Sequence, residues 1–194
     1  GQYWALKIMN GSWQSGGGNG GEKAGKHEME MMKRLAHPSL PRIIDIFETD
    51  VRRGNPGVVL VMEYIHGITL EECIRSDRRM NRDQVMDAAL QLSSLLVYLH
   101  SRKVPICHLD LKPSNMILTK EGKLYLTDFG SAVKLDEDNP TVRKGTDGYA
   151  APEQYDKWAP LTERTDLYGM GAVLYRLISG KKYSPVFPTE RIFK

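Results

Sequence analysis

Residues 108–115 read HLDLKPSN, and the rest of the chain is organised around them. The stretch holds His108, Asp110, Lys112 and Asn115 at fixed offsets, and Pro113 bars a regular helix through it. A loop that sets an acid, a cation and an amide side by side suits phosphoryl transfer. That chemistry needs positioning and charge neutralisation more than a covalent intermediate. Thirteen residues after Asn115 comes Asp128-Phe129-Gly130, followed by Gly145-Thr146, Gly148-Tyr149 and Ala151-Pro152-Glu153.

Taken in order, HxDxKxxN, DFG and GTxGYxAPE resemble the eukaryotic-type (Hanks-type) protein kinase family. The set is far more specific than any one member, because each motif sits in the context the others predict. The resemblance implies an α+β, bilobal, protein-kinase-like fold. A small, partial β-rich N-lobe with one αC-type helix would span 1–65, and a mainly helical, partial C-lobe 66–194. It implies ATP and Mg²⁺ as cofactors and Ser or Thr hydroxyls of a protein substrate as acceptors. Lys112 resembles Ser/Thr kinases over Tyr kinases, and GTDGYAAPEQY at 145–155 looks more like bacterial members than animal ones.

The same resemblance assigns roles. Asp110 would be the base that accepts the proton of the substrate hydroxyl. Lys112 would neutralise charge near the γ-phosphate, and Asn115 and Asp128 would offer oxygens to Mg²⁺. Lys7, in the run YWALKIM at 3–9, would hold the α- and β-phosphates with Glu28 as its partner. Backbone groups of Glu63 and Ile65, in the hinge-like stretch 62–67, would bond adenine behind Met62 as gatekeeper. Phe129 is assigned to packing, in a column with Ile43, Met32 and His108 that rests on Asp166. Asp166 would bond the backbone of the catalytic loop, Thr146 would contact that loop, and Glu153 would pair with an arginine late in the C-lobe.

Composition sets the outer bounds. The 194 residues suffice for one large domain or two small lobes, and 41% hydrophobic with 26% charged residues is ordinary for a globular chain. A net charge of +3 with no basic run argues against a nucleic-acid partner. No apolar run nears the ~20 residues that span a membrane, so no membrane contact is expected of this segment. Its start lacks a signal-peptide pattern. Cys73 and Cys107 alone make neither a disulfide framework nor a metal site, which points to a reducing, cytoplasmic setting.

Along the chain, 3–9 predicts a buried strand that carries one lysine. In the loop 10–21, Gly16, Gly18 and Gly21 spell G-x-G-x-x-G, but after the lysine strand instead of before it, so 16–21 reads as a mobile linker. Residues 22–36 predict a helix with Glu28, Met32 and Leu35 on one face. Leu40–Glu48 and Gly57–Tyr64 flank a turn signal at 52–57 and predict a hairpin. A short helix follows over 69–75. Asn81 with Gln84 at the third helical position opens a long helix with an apolar stripe of Val85, Ala88, Ala89, Leu92, Leu95, Leu96 and Leu99. Residues 116–118 and 123–127 predict a second hairpin around Glu121-Gly122. Thr165 is placed to cap a helix over 166–179, and Gly180 to end it.

Three departures from the family pattern stand out. Leu109 replaces the arginine usual between His and Asp, as in non-RD kinases. The first two strands and the glycine-rich loop are not in the segment, and it stops soon after the helix anchored by Asp166. A weak or inactive fragment is therefore expected, with an exposed strand edge at 3–9 that invites dimers or aggregates. Two other readings compete. A pseudokinase or scaffold module would keep the fold without turnover, although Lys7, Glu28, Asp110, Asn115 and Asp128 are intact. A small-molecule phosphotransferase would share HxDxxxxN but lack Lys112-Pro113 and the APE segment.

Overall fold

The computed structural model describes residues 3–10, 32–52, 55–76, 80–135, 145–156 and 158–181. Alternating apolar residues near the N-terminus form an antiparallel sheet. Its strands are β1 (Trp4–Asn10), β2 (Ile43–Arg52) and β3 (Asn55–Glu63), in the order β1-β3-β2. β2 and β3 are the expected hairpin, with Arg52 opposite Asn55 and a register shift between Ile43 and Asp45 that marks a bulge. Central β3 buries Val59 and Leu60.

The reading of 3–9 as a buried strand needs correction. Among the described residues β1 is an edge, and Trp4, Leu6 and Ile8 face outward, Leu6 at 62% and Ile8 at 55% exposure. Ala5 and Lys7 share the opposite, partly covered face, as the two-residue period of a strand requires. Of the 22–36 helix only the end is described. There the Leu35 amide donates to the Met32 carbonyl and Met32 is buried. Glu28 and Gly16, Gly18 and Gly21 lie outside the described residues.

The mainly helical part begins with β4 (Gly67–Thr69) and α1 (Leu70–Arg75), capped by Thr69 in a reciprocal box with Glu72. α2 (Arg82–His100) starts at the Asn81–Gln84 box expected from sequence, both bonds at 2.9 Å. Its stripe is buried apart from Ala89, which is only partly covered. Burial of a leucine contributes about 1.5–3 kcal/mol, so this face makes α2 the pillar of the core. Against it pack β6 (Met116–Thr119), β7 (Leu124–Leu126) and α3 (Glu163–Ser179). Two short strands, β5 (Ile106–Cys107) and β8 (Val133–Lys134), pair antiparallel.

α3 begins three residues earlier than its sequence suggested. Thr162 is the cap and Thr165 the third helical residue that bonds back to it, because the two threonines form one box. Gly180 ends the helix with φ 70°, the left-handed conformation glycine adopts without a Cβ penalty. One buried apolar cluster runs from Met32, Leu40 and Leu60 through Phe129 to Leu95, Leu99 and Val173. The two parts of this α+β, kinase-like fold therefore share a core at the level of residues 108–130.

Candidate active site

The loop after β5 is held by a carboxylate from far along the chain. Asp166, in the first turn of α3, has a fully buried side chain. It accepts from the amides of His108 (Oδ2, 2.9 Å) and Leu109 (Oδ1, 2.9 Å), and His100 Nε2 lies 2.9 Å from Oδ2. Those donors offset the penalty of burying a charge. His100, Cys107 and Asp166 bring metal-ligand-type atoms within 4.8 Å of one another. Yet the Cys107 thiol donates to the Thr162 carbonyl (3.4 Å), and burial, aided by Asp166 and Glu163, pushes its pKa far up, against the thiolate a metal needs. The trio is a hydrogen-bonded packing network.

His108 is fully buried. Its Nδ1 accepts from the Asp110 amide (3.4 Å) and its Nε2 meets the Thr127 carbonyl (3.3 Å), which requires the proton on Nε2. Burial holds its pKa down despite the nearby Asp166 and Asp110 carboxylates, so the ring is neutral. Phe129 stacks on it edge to face with centroids 4.7 Å apart. Met32, Phe129 and His108 are all buried, and Ile43 packs partly buried against the same core. Of the column expected from sequence, the His108–Phe129 contact and the Asp166 anchor are thus in place, and Met32 and Ile43 belong to the same core.

Pro113–Asn115 form a 3-10 turn with Pro113 in its first position, the form a proline permits where a longer helix is barred. Three groups converge on Asp110: Lys112 and Asn115 from the turn and its cap, and Thr146 from farther along the chain. Lys112 Nζ donates to Asp110 Oδ2 (2.7 Å), the Thr146 hydroxyl donates to Oδ1 (2.6 Å), and Asn115 Nδ2 donates to Oδ2 (3.2 Å) and the Asp110 carbonyl (3.0 Å). Lys112 Nζ also reaches Thr146 Oγ1 at 2.9 Å. The Thr127 amide and hydroxyl both donate to the Asn115 carbonyl (2.9 and 3.1 Å), tying residues 127–130 to the loop.

Lys7 reaches across to Asp128, Nζ to Oδ1 at 2.8 Å, with side chains 32% and 50% exposed. Partial burial opposes the charged carboxylate, but the hydrogen bond and charge of Lys7 outweigh it and hold the Asp128 pKa below the usual range. Asp128 and Leu109 are the non-glycine residues with positive φ among the described residues, at 64° and 62°. The structure thus brings Lys7, Asp110, Lys112, Asn115 and Asp128 into one region. Glu63 ends β3 and Ile65 lies just beyond it, and the Glu63 amide is taken by the Arg42 carbonyl (2.8 Å). Glu153 accepts from the Thr165 hydroxyl at 2.7 Å.

Two residues in this architecture escaped the sequence reading. His100 looks there like a cation ending α2, a normal choice against the helix dipole. Gln154 follows the APE triplet and is buried, with its amide donating to the Leu109 carbonyl at 2.8 Å. Its neighbours Glu153, Tyr155 and Asp156 are polar or aromatic, so nothing local marked it as buried.

Residues 1–192 match the family described as Protein kinase domain, and the chain belongs to that family. It is 37% identical to serine/threonine-protein kinase 36 of Mus musculus over 171 residues, 87% of this chain and 12% of that protein. It is 32% identical to serine/threonine-protein kinase RUNKEL of Arabidopsis thaliana over 157 residues, 79% of this chain and 11% of the relative. With serine/threonine-protein kinase PrkC of Bacillus subtilis the identity is 30% over 159 residues, 80% of this chain and 23% of that protein. Within the family it is a Hanks-type Ser/Thr kinase catalytic domain, similar to bacterial and eukaryotic members alike. It spans less than a quarter of the length of these relatives. Among the described residues no helix is long and apolar enough to cross a membrane.

Proposed function

We propose that this domain transfers the γ-phosphoryl group of ATP to serine or threonine hydroxyls of protein substrates, with residues 1–65 as a partial N-lobe and 66–194 as a partial C-lobe. The supporting observation is the contact set on Asp110: a carboxylate oriented by Lys112, Thr146 and Asn115, on a loop anchored to α3. Asp110 accepts the proton of the attacking hydroxyl, and Lys112 screens the charge that builds beside it.

The residues present fit a magnesium nucleotide. Asn115 turns its amide NH₂ toward Asp110, so its oxygen is the atom left to meet a cation, and Asp128 adds a half-exposed carboxylate. Hard oxygen donors of this kind suit Mg²⁺. Bound Mg²⁺-ATP supplies the transferable phosphoryl group and neutralises its charge. Lys7 holds the α- and β-phosphates with Glu28 as its partner. The Glu63 carbonyl and the Ile65 amide take adenine, since the Glu63 amide is already bonded. Cys73 and Cys107 are buried and not joined by a disulfide, which accords with a cytoplasmic setting.

The test is Asp110→Asn in the full-length protein. It should abolish phosphotransfer to a Ser/Thr peptide while ATP/Mg²⁺ titration stays close to wild type. Retention of most of the rate would overturn the reading.

A further inference from the structure

We infer that Gln154 is a positioning residue for Asp110: its side-chain amide fixes the strained Leu109 peptide from which the proposed base projects. The inference rests on Asp110 acting as that base.

Leu109 has φ 62°, a left-handed conformation that a residue with a Cβ rarely adopts because the Cβ crowds the following carbonyl oxygen. Such a conformation persists only where the surroundings over-determine it. Here each exit from the residue is held by a different part of the fold. Its amide donates to Asp166 Oδ1 on α3 (2.9 Å). Its side chain is buried with Cys107 and Leu161, against Val133 and Leu135. Its carbonyl accepts from Gln154 Nε2 at 2.8 Å. Asp110 follows directly, and among the described residues its own amide has only the long 3.4 Å contact to His108. The direction of the Asp110 side chain therefore depends on how firmly the Leu109 peptide is set.

A carboxamide satisfies both bonds at this position at any pH, whereas a carboxyl group does so only when protonated. Gln154 is 7% exposed, and its Oε1 accepts from the Ala151 amide at 2.9 Å while Nε2 donates to Leu109. The roles of O and N are thus fixed by their partners. The same side chain is also packed by the segment that carries Thr146. A Cβ at Gly145 would clash with Ala150 Cβ and lie 3.2 Å from Gln154 Nε2. Gln154 thereby ties the Leu109 peptide and the Thr146 segment, two of the elements that meet at Asp110, to one short turn.

A glutamate at 154 keeps the acceptor for Ala151 but turns an oxygen toward the Leu109 carbonyl. Asp110 and Asp166 line the same small cavity, and both disfavour a third negative charge. Protonation of that glutamate restores the missing donor.

The test compares Gln154→Glu, Gln154→Met and Asp110→Asn with wild type in the full-length protein. The readouts are steady-state kinetics against pH and amide hydrogen exchange at residues 108–110. Gln154→Glu should lower kcat about tenfold to a hundredfold at neutral pH, the scale expected for a misplaced catalytic group. KM for ATP and peptide should stay within about twofold, because ground-state binding is untouched. Its kcat, relative to wild type at the same pH, should recover as the glutamate takes up its proton. Gln154→Met should stay low throughout, and both variants should exchange faster at Leu109 and Asp110. A wild-type kcat for Gln154→Glu at neutral pH, or equal, pH-independent losses in both variants, would overturn the proposal. Retained activity in Asp110→Asn would instead reject the base assignment, while the exchange data would still report whether Gln154 holds the loop.

Discussion

Asp166→Ala should be among the most destabilising single substitutions in the domain. The side chain is fully buried and accepts from two amides that have moved out of water with it, those of His108 and Leu109, each at 2.9 Å. Truncation leaves both donors orphaned. An unsatisfied buried donor costs about 1–3 kcal/mol, so the pair accounts for about 2–6 kcal/mol before the lost His100 contact. Domains of this kind are stable by about 5–15 kcal/mol, so the variant should be marginally folded. Asp166→Asn keeps one acceptor oxygen and turns an NH₂ toward the other amide, so it should lose about half as much. Thermal melting and amide hydrogen exchange of the full-length protein measure both. The largest gain in exchange should fall on His108 and Leu109, ahead of the α2 core. A loss below about 1 kcal/mol for Asp166→Ala, or unchanged exchange at those two amides, would refute the accounting.

Activation should not depend on a phosphate in the activation segment. The Leu109 side chain is buried among Cys107, Leu161, Val133 and Leu135 and forms no charge-assisted bond to one. Phosphatase treatment and Thr141→Ala, at a position outside the described residues, should each leave kcat nearly unchanged, and a large loss on both would sink the idea. Stability should fall as pH drops below the ordinary histidine value of 6.5, because burial keeps His108 neutral in the folded domain while the unfolded chain takes up the proton. Stability is then fully present above 6.5 and declines below it by up to about 1.4 kcal/mol per pH unit. Melting curves of wild type and His108→Phe between pH 5 and 8 isolate that slope, roughly the range in which histidine titrates, and parallel profiles would contradict it. The domain should self-associate through β1, since Leu6 and Ile8 are exposed on a strand that is an edge among the described residues. Light scattering should show Leu6→Lys relieving the association, and a clean wild-type monomer would be the contrary result.

What could be read from sequence was whatever local chemistry dictates. The catalytic loop is legible because its residue types have few other reasons to sit at those spacings, and the Asn81–Gln84 box because both halves lie within one turn. The start of α3 was misplaced because Thr162 and Thr165 are both good caps and the fold uses both, one as cap and one as its reciprocal partner. β1 was read as buried because 3–9 is apolar on both faces, whereas the described sheet covers only the face of Ala5 and Lys7. His100 and Gln154 were illegible for a different reason. Their partners lie 66 and 45 residues away, and no periodicity records a polar pairing of that range.

The two left-handed residues bracket the proposed chemistry: Leu109 precedes the base and Asp128 is a metal-binding candidate. Each conformation costs about 1–2 kcal/mol, while a hydrogen bond to a charged group returns about 1.5–3 kcal/mol. Leu109 is held by the Asp166 carboxylate and Gln154, and Asp128 by the Lys7 ammonium with a longer bond from the Gly130 amide (3.3 Å). The compensation is sufficient at Leu109, where the Asp166 side chain is fully buried, while the half-exposed Lys7–Asp128 pair is screened by solvent and returns less, and none of the three long-range partners is local. One sits on α3, one on the turn after the Thr146 segment, one on β1. The strained geometry at the site is therefore a product of docking, not of the loop's own preference. Undocking any of these elements removes the bond that offsets the strain, and the adjoining residue relaxes to an ordinary backbone conformation. Dependence of catalytic geometry on remote assembly follows from these energies without any phosphate to enforce it.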